Sequence, residues 1–280
     1  MFIIGELINS TRKRIREAVL ARDAAYIREI AIKQQQAGAH MLDVNGGVPD
    51  QEAECLAWLI GVVKDAVDLP LCLDSSDSLA LRAALPLVGR SVMVNSVNNE
   101  EGRIEAMLPL LREHKAKVIA LCMGSGGPPK GLDDRLAAGV HLVDRLTDAG
   151  IALDDIYVDP CVIPISTGDE HGAAVADAIG EIMRRYPGVH TSVGLSNVSF
   201  GLPARKLLNE AFLLLLVSRG LDAAILDPCD RQLMAGLTAA EALLGRDNHC
   251  LRYLRAFREG KLEAPPPAPG GAPTPRGGQV

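Results

Sequence analysis

Short aliphatic runs recur along the chain, each four to seven residues long: FIIG (2–5), HMLDVN (40–45), LPLCLD (69–74), SVMVNS (91–96), KVIALCM (117–123), DIYVDP (155–160), TSVGLSN (191–197) and LDAAIL (221–226). Their length and their Leu-rich or β-branched content predict buried strands. Amphipathic stretches lie between them. AAYIREIAIKQQQAG places Ile27, Ile30 and Ala31 at helical spacing and runs to Gly38. DDRLAAGVHLVDRLTDAG places Leu136, Val140, Val143 and Leu146 on one face and runs to Gly150, and ARKLLNEAFLLLLVSRG runs to Gly220. A glycine just past the last periodic residue is a helix stop signal. Successive runs start roughly 20 to 40 residues apart, the length of one βα unit with its crossover. Eight such units in about 260 residues predict an α/β chain folded as a (β/α)8 TIM barrel. An open doubly wound sheet would carry a Gly-rich turn after its first strand, where this chain has ELINSTRKR.

Composition sharpens this picture. The 280 residues are 48% hydrophobic but only 3% aromatic, so the core is built from Leu, Ile, Val and Ala. That suits parallel strands covered on both faces. A net charge of −6 argues against a partner made of nucleic acid, which calls for clustered Lys and Arg. Six cysteines without a CxxC pair are too sparse for a disulfide scaffold and read as a reducing cytoplasm. MFIIGELINS lacks the basic start and apolar stretch of a secretory leader. The longest aliphatic run, Ala211 to Val217, is far shorter than the ~20 residues that span a bilayer. No membrane attachment is expected. From about Glu263 the sequence turns to EAPPPAPGGAPTPRGGQV, which has almost nothing to bury. The expected organisation is one barrel domain over 1–260 and a disordered tail over 261–280.

The predicted strands end in polar residues. Glu6 and Asn9 follow the first strand, Asp43 and Asn45 close the second, and Asp74, Ser75 and Ser76 the third. Asn95 and Ser96, Asp159, and then Ser196 and Asn197 close the fourth, sixth and seventh, and Asp227 and Asp230 follow the eighth. One Asp at a strand end is ordinarily a loop residue or a helix cap, and Asp77 and Asp230 fit that role. Seven strands of eight with such an ending point instead to side chains converging on the barrel mouth, where sites on this fold lie. The set is a poor match to a transition metal, since the histidines show no ligand spacing. A Mg²⁺ held by Asp43, Asp74 and Asp159 stays open. No Lys at a strand end favours a Schiff base. Asp and Asn together suit a neutral heterocycle, because a carboxylate accepts two N–H bonds and a carboxamide both donates and accepts.

At these residues the chain resembles the methyltetrahydrofolate:corrinoid methyltransferases and the folate module of cobalamin-dependent methionine synthase. The likeness spans about residues 1–258. It is carried by IIGELIN (3–9), LDVNGG (42–47), LCLDS (71–75), MVNS (93–96), the segment Lys130 to Arg135, YVDP (157–160), GLSNVSFGLP (194–203) and GLDAAILDPCD (220–230). Dihydropteroate synthase shares the barrel more distantly and does not carry GLSNVSFGLP. The resemblance implies that Asp74, Asn95 and Asp159 bind the pyrimidine edge of a pterin. It implies that Asn197 is the catalytic residue near N5, with Ser196 and Arg205 also at the pterin. It casts Glu6, Asn9, Asp43 and Asn45 as supporting residues behind them.

The reaction so implied moves the N5 methyl group between methyltetrahydrofolate and a Co(I) corrinoid. Cobalt is the nucleophile, so the protein's task is the leaving group: N5 must gain positive character as the methyl departs. The chain has no DxHxxG string, so cobalamin is expected on a partner corrinoid protein, docking over the mouth beside the loop CMGSGGPPKGLDDR (122–135), with no metal bound by the chain itself. The resemblance also implies a homodimer. The alternatives are a dihydropteroate-synthase-like pterin enzyme, a Mg²⁺-assisted lyase or hydrolase, and a folate-binding module without turnover.

Overall fold

The computed structural model describes residues 1–89 and 91–262. The disordered tail expected at 261–280 lies, from 263 onward, outside the described residues. Eight strands occur in chain order: β1 (Phe2–Asn9), β2 (Met41–Asn45), β3 (Leu71–Asp74), β4 (Val92–Asn99), β5 (Lys117–Gly124), β6 (Ile156–Asp159), β7 (His190–Thr191) and β8 (Ala223–Leu226). All pair in parallel, in the order β7-β6-β5-β4-β3-β2-β1-β8. Gly194 bridges to Ile225, and the Ile225 amide donates to the Val193 carbonyl at 2.9 Å, which brings β7 against β8 and closes the (β/α)8 barrel.

The covering helices are α1 (Lys13–Leu20), α2 (Ala24–Gln36), α3 (Glu52–Lys64), α4 (Ser78–Val88), α5 (Arg103–His114), α6 (Leu132–Asp148), α7 (His171–Arg185), α8 (Arg205–Ser218) and α9 (Arg231–Leu243). A short α10 (Leu251–Arg258) follows. The Asp77 and Asp230 side chains cap α4 and α9, accepting from the amides of Leu79 and Leu233. Gly38, Gly150 and Gly220 take φ of +100°, +84° and +115°, the left-handed geometry that ends α2, α6 and α8. The aliphatic run at Ala211 to Val217 is the C-terminal half of α8, and no helix among the described residues is long and apolar enough to cross a membrane.

Two expectations shift. The seventh run supplies only one strand residue, Thr191, which follows His190 in β7, and its second half coils as a 3-10 turn over Leu195–Ser199. Asn197 therefore sits on that turn rather than at a strand end. On α6 the buried stripe is Arg135, Gly139, Leu142, Val143 and Leu146, while Leu136 and Val140 are half-buried. Gly139 lies on this inward face so close to β5 that a Cβ there would sit 3.2 Å from Cys122 Sγ.

The pleat places successive side chains on opposite faces. Leu42, Val44, Leu71, Leu73, Val92, Val94 and Val118 pack outward against the helices. Ile4, Met41, Cys72, Met93, Ile119, Tyr157 and Ile225 form a separate cluster that plugs the barrel. Two residues further on, the inward positions are Glu6, Asp43, Asp74, Asn95, Leu121, Asp159 and Asp227. One period of the pleat converts an apolar plug into a polar floor for the mouth.

Candidate active site

The floor contains two clusters. The first spans β2 to β4. Asp74 and Asn95 are register partners on β3 and β4. Asn45 Nδ2 donates to Asp74 Oδ2 at 3.0 Å, and Asn95 Nδ2 donates to Asp43 Oδ1 at 3.2 Å. Thus Asn45 and Asp43 each hold one neighbour. Gly46 permits the close packing behind Asn45, since a Cβ there would lie 2.6 Å from the Leu56 amide nitrogen of α3. Burial pushes the Asp43 carboxyl well above its usual range, and the Asp74 charge adds to this. Burial raises Asp74 to about 6, although the Asn45 hydrogen bond pulls the other way.

The second cluster joins β1 to the turn after β7. Ser196 Oγ donates to Glu6 Oε2 at 3.1 Å, and Arg12 pairs with Glu6 Oε1 at 2.5 Å. Arg205 donates to the Ser196 carbonyl at 2.6 Å and to Ser199 Oγ at 3.0 Å, and its guanidinium lies 5.9 Å from the Phe200 ring centroid. Ser199 Oγ lies 2.6 Å from Asn209 Oδ1 on α8. These bonds make the turn a rigid platform. Asn197 is exposed upon it, and its carboxamide has no hydrogen-bond partner among the described residues. Burial raises the Glu6 carboxyl, while Arg12 pulls it back down. A cavity of about 470 Å³ opens here, lined by Glu6, Arg12, Ser196, Asn197, Phe200, Arg205 and Asp227 among others.

Asp159 stands between the clusters at the end of β6. It is 7% exposed and accepts from the Cys161 amide at 2.8 Å. Cys161 takes φ +62° to turn that amide back, a left-handed conformation costing a non-glycine residue about 1–2 kcal/mol. Burial raises Asp159 to about 7, against the pull of the Cys161 and Gly194 amides and of Arg135.

Asp74, Asn95 and Asp159 do not line the cavity that holds Asn197, Ser196 and Arg205. The two groups share the mouth, and the charge of Glu6 is felt at Asp43. Asn9 turns into its own loop, where its Oδ1 accepts from the Thr11 amide at 2.9 Å and the Thr11 hydroxyl at 2.7 Å. Among the described residues no group of three or more His, Cys, Asp or Glu is placed to hold a metal ion.

Sequence reasoning missed Arg12, Arg103 and the buried role of Arg135. Arg135 is wholly buried, donating to the carbonyls of Gly131 at 3.0 Å and Cys161 at 3.2 Å. Nothing in the local pattern separates these arginines from solvated helix charges, because their partners are carbonyls and carboxylates on other elements.

A closed parallel barrel with an Asp- and Asn-rich mouth defines a TIM-barrel protein with a polar site at its mouth. Residues 5–227 match the Pterin binding enzyme family, and the chain belongs to it. It is 37% identical over 265 residues to a methylcorrinoid:tetrahydrofolate methyltransferase from Eubacterium limosum, covering 94% of this chain and 98% of that protein. It is 34% identical to methionine synthase of Mycobacterium leprae over 80% of this chain and 20% of that protein. Among solved structures, dihydropteroate synthase from Vibrio fischeri superposes with a TM-score of 0.66 at 16% identity, covering 87% of this chain and 93% of that one. That likeness concerns the fold.

Proposed function

We propose that this chain is a methyltransferase that moves the N5 methyl group between methyltetrahydrofolate and the cobalt of a corrinoid carried on a partner protein. The observation that carries the reading is the near end-to-end match to a relative with this substrate pair in its name. The dihydropteroate-synthase alternative rests on fold likeness at 16% identity and fits less well. Asp74, Asn95 and Asp159 accept from and donate to the pyrimidine edge of the pterin. Asn95 gives one of its two amide N–H groups to Asp43, which leaves its second N–H and its carboxamide oxygen for the pterin. Asn197, on the platform that Arg205 clamps, donates to N5.

The corrinoid enters as a substrate and supplies the nucleophile that takes the methyl group. The protein's share is the leaving nitrogen. As the N5–CH3 bond breaks, its electron pair stays on N5 and takes a proton from solvent; an Asn197 N–H bonded to N5 strengthens as that pair develops and lowers the barrier by differential binding. The partner docks over the mouth, and the loop 122–135 belongs to its landing surface. A homodimer is part of this proposal: α10 buries none of its residues and leaves Leu251, Leu254 and Phe257 exposed, an apolar face that a second copy would cover. The six free cysteines fit a reducing cytoplasm.

The test is rapid mixing of the protein with methyltetrahydrofolate and Co(I) cobalamin, following methylcobalamin by absorbance. Methylcobalamin formation that depends on the protein is expected. Folate binding without it would reduce the chain to a binding module. Loss of activity on chelation would return the metal-assisted alternative.

A further inference from the structure

We propose that Arg103 is a positioning residue for the pterin: its guanidinium ties together the backbone just beyond Asp74 and Asn95 and so sets the spacing of those two side chains. The inference rests on the pterin reading of the mouth. Arg103 opens α5, after Gly102 at φ +74°. It donates to the Ser75 carbonyl at 3.0 Å, the Ser76 carbonyl at 2.7 Å and the Ser96 carbonyl at 2.7 Å and 3.3 Å. Among the described residues it enters no ion pair, so a whole charge is committed to three carbonyl oxygens.

Those carbonyls need a partner because the sheet stops serving them there. β3 ends at Asp74, so Ser75 and Ser76 lie beyond its ladder. The pairing of β4 with β5 slips between Asn95 and Val97, which leaves Ser96 out of register. The Ser75 amide donates to the Asn95 carbonyl at 3.0 Å, the last direct tie between the two strand ends. Arg103 adds the clamp above it. A planar fork with five donors can reach carbonyls on both strands at once, and a lysine cannot reproduce that geometry. Bonds from a charged donor are also roughly twice as strong as neutral ones. The backbone that carries Asp74 and Asn95 is thereby held from a helix that never enters the mouth.

The experiment compares wild type, Arg103→Met and Arg103→Lys for methyltetrahydrofolate affinity by calorimetry, steady-state methyl transfer to cobalamin, and thermal melting. Misplacing binding groups by about 1 Å costs up to about a hundredfold, so Arg103→Met should raise Kd and KM by roughly ten- to a hundredfold. At saturating folate its kcat should stay within about threefold of wild type, since the group at N5 is untouched. Arg103→Lys, which keeps the charge, should recover part of the affinity and covers the case in which the Met variant fails to fold. Wild-type affinity in Arg103→Met overturns the proposal. So does a fall in kcat with KM unchanged, or an affinity loss in both variants that merely tracks the drop in melting temperature. Failure of the wild-type protein to bind methyltetrahydrofolate would instead overturn the pterin reading itself, and this assignment with it.

Discussion

Asn95 donates one of its two side-chain N–H groups to Asp43 Oδ1 at 3.2 Å, so a residue on β2 fixes how a β4 carboxamide faces a ligand. If Asn95 binds the pterin with its oxygen, Asp43 matters without touching the substrate. Asp43→Ala should weaken methyltetrahydrofolate binding about tenfold, the scale of one lost buried hydrogen bond. Calorimetry checks this, and unchanged affinity would detach Asp43 from the site.

Asn197 should behave differently. As the donor to N5 it acts mainly when charge develops there, so Asn197→Ala should lower kcat by about 10² to 10³ while Kd for folate changes far less. Single-turnover methyl transfer beside equilibrium binding separates the two. Equal turnover in mutant and wild type would remove Asn197 from the chemistry.

The mouth carboxyls make binding sensitive to pH. Asp159 is raised to about 7 and Asp74 to about 6, both from 3.8. The folded chain therefore binds more protons than the unfolded one between about pH 4 and 7, and these two groups lower stability as pH rises through that window. Asp159→Asn should match wild type in stability near pH 4 and gain on it up to about pH 7. Pterin N–H groups favour the ionised carboxylates, so folate binding should release protons and weaken as pH falls below about 7. Melting curves and calorimetry in two buffers of different protonation enthalpy test both statements. A constant stability difference, or proton uptake on binding, would contradict them.

At the opposite end of the barrel, His190 Nδ1 lies 2.6 Å from Asp222 Oδ2, and Asp222 Oδ1 accepts from the Thr191 amide at 2.9 Å. The His190 ring stacks on Tyr157 at 4.6 Å. The Asp222 hydrogen bond raises the imidazole above its usual 6.5. This contribution is complete below the unfolded value and fades as pH rises through the folded one. Asp222→Ala should cost about 1–3 kcal/mol at acid pH, with a deficit that shrinks above neutrality. Urea unfolding at pH 6 and pH 8.5 reads it, and an equal deficit at both would exclude the pair's titration as the cause.

Much of this protein was legible in its residues. Eight aliphatic runs at βα spacing imply the barrel, and the same runs carry the polar endings: Met41 then Asp43, Cys72 then Asp74, Met93 then Asn95, Tyr157 then Asp159. Period-two alternation makes those pairs neighbours in adjacent layers, and that follows from local geometry alone. The family likeness in GLSNVSFGLP is equally a property of the string. What only the tertiary structure decided is who holds whom. Asn45 reaches Asp74, Asp43 reaches Asn95, Glu6 meets Ser196 across 190 positions, and Asn9 turns away into its own loop. The end of the seventh run coils as a 3-10 turn that bridges to β8 at Gly194, and Arg103 and Arg135 look locally like solvated helix charges. Their partners are backbone carbonyls left beyond the ladders. A carbonyl has no sequence signature, so only the closed barrel reveals which ones need a donor.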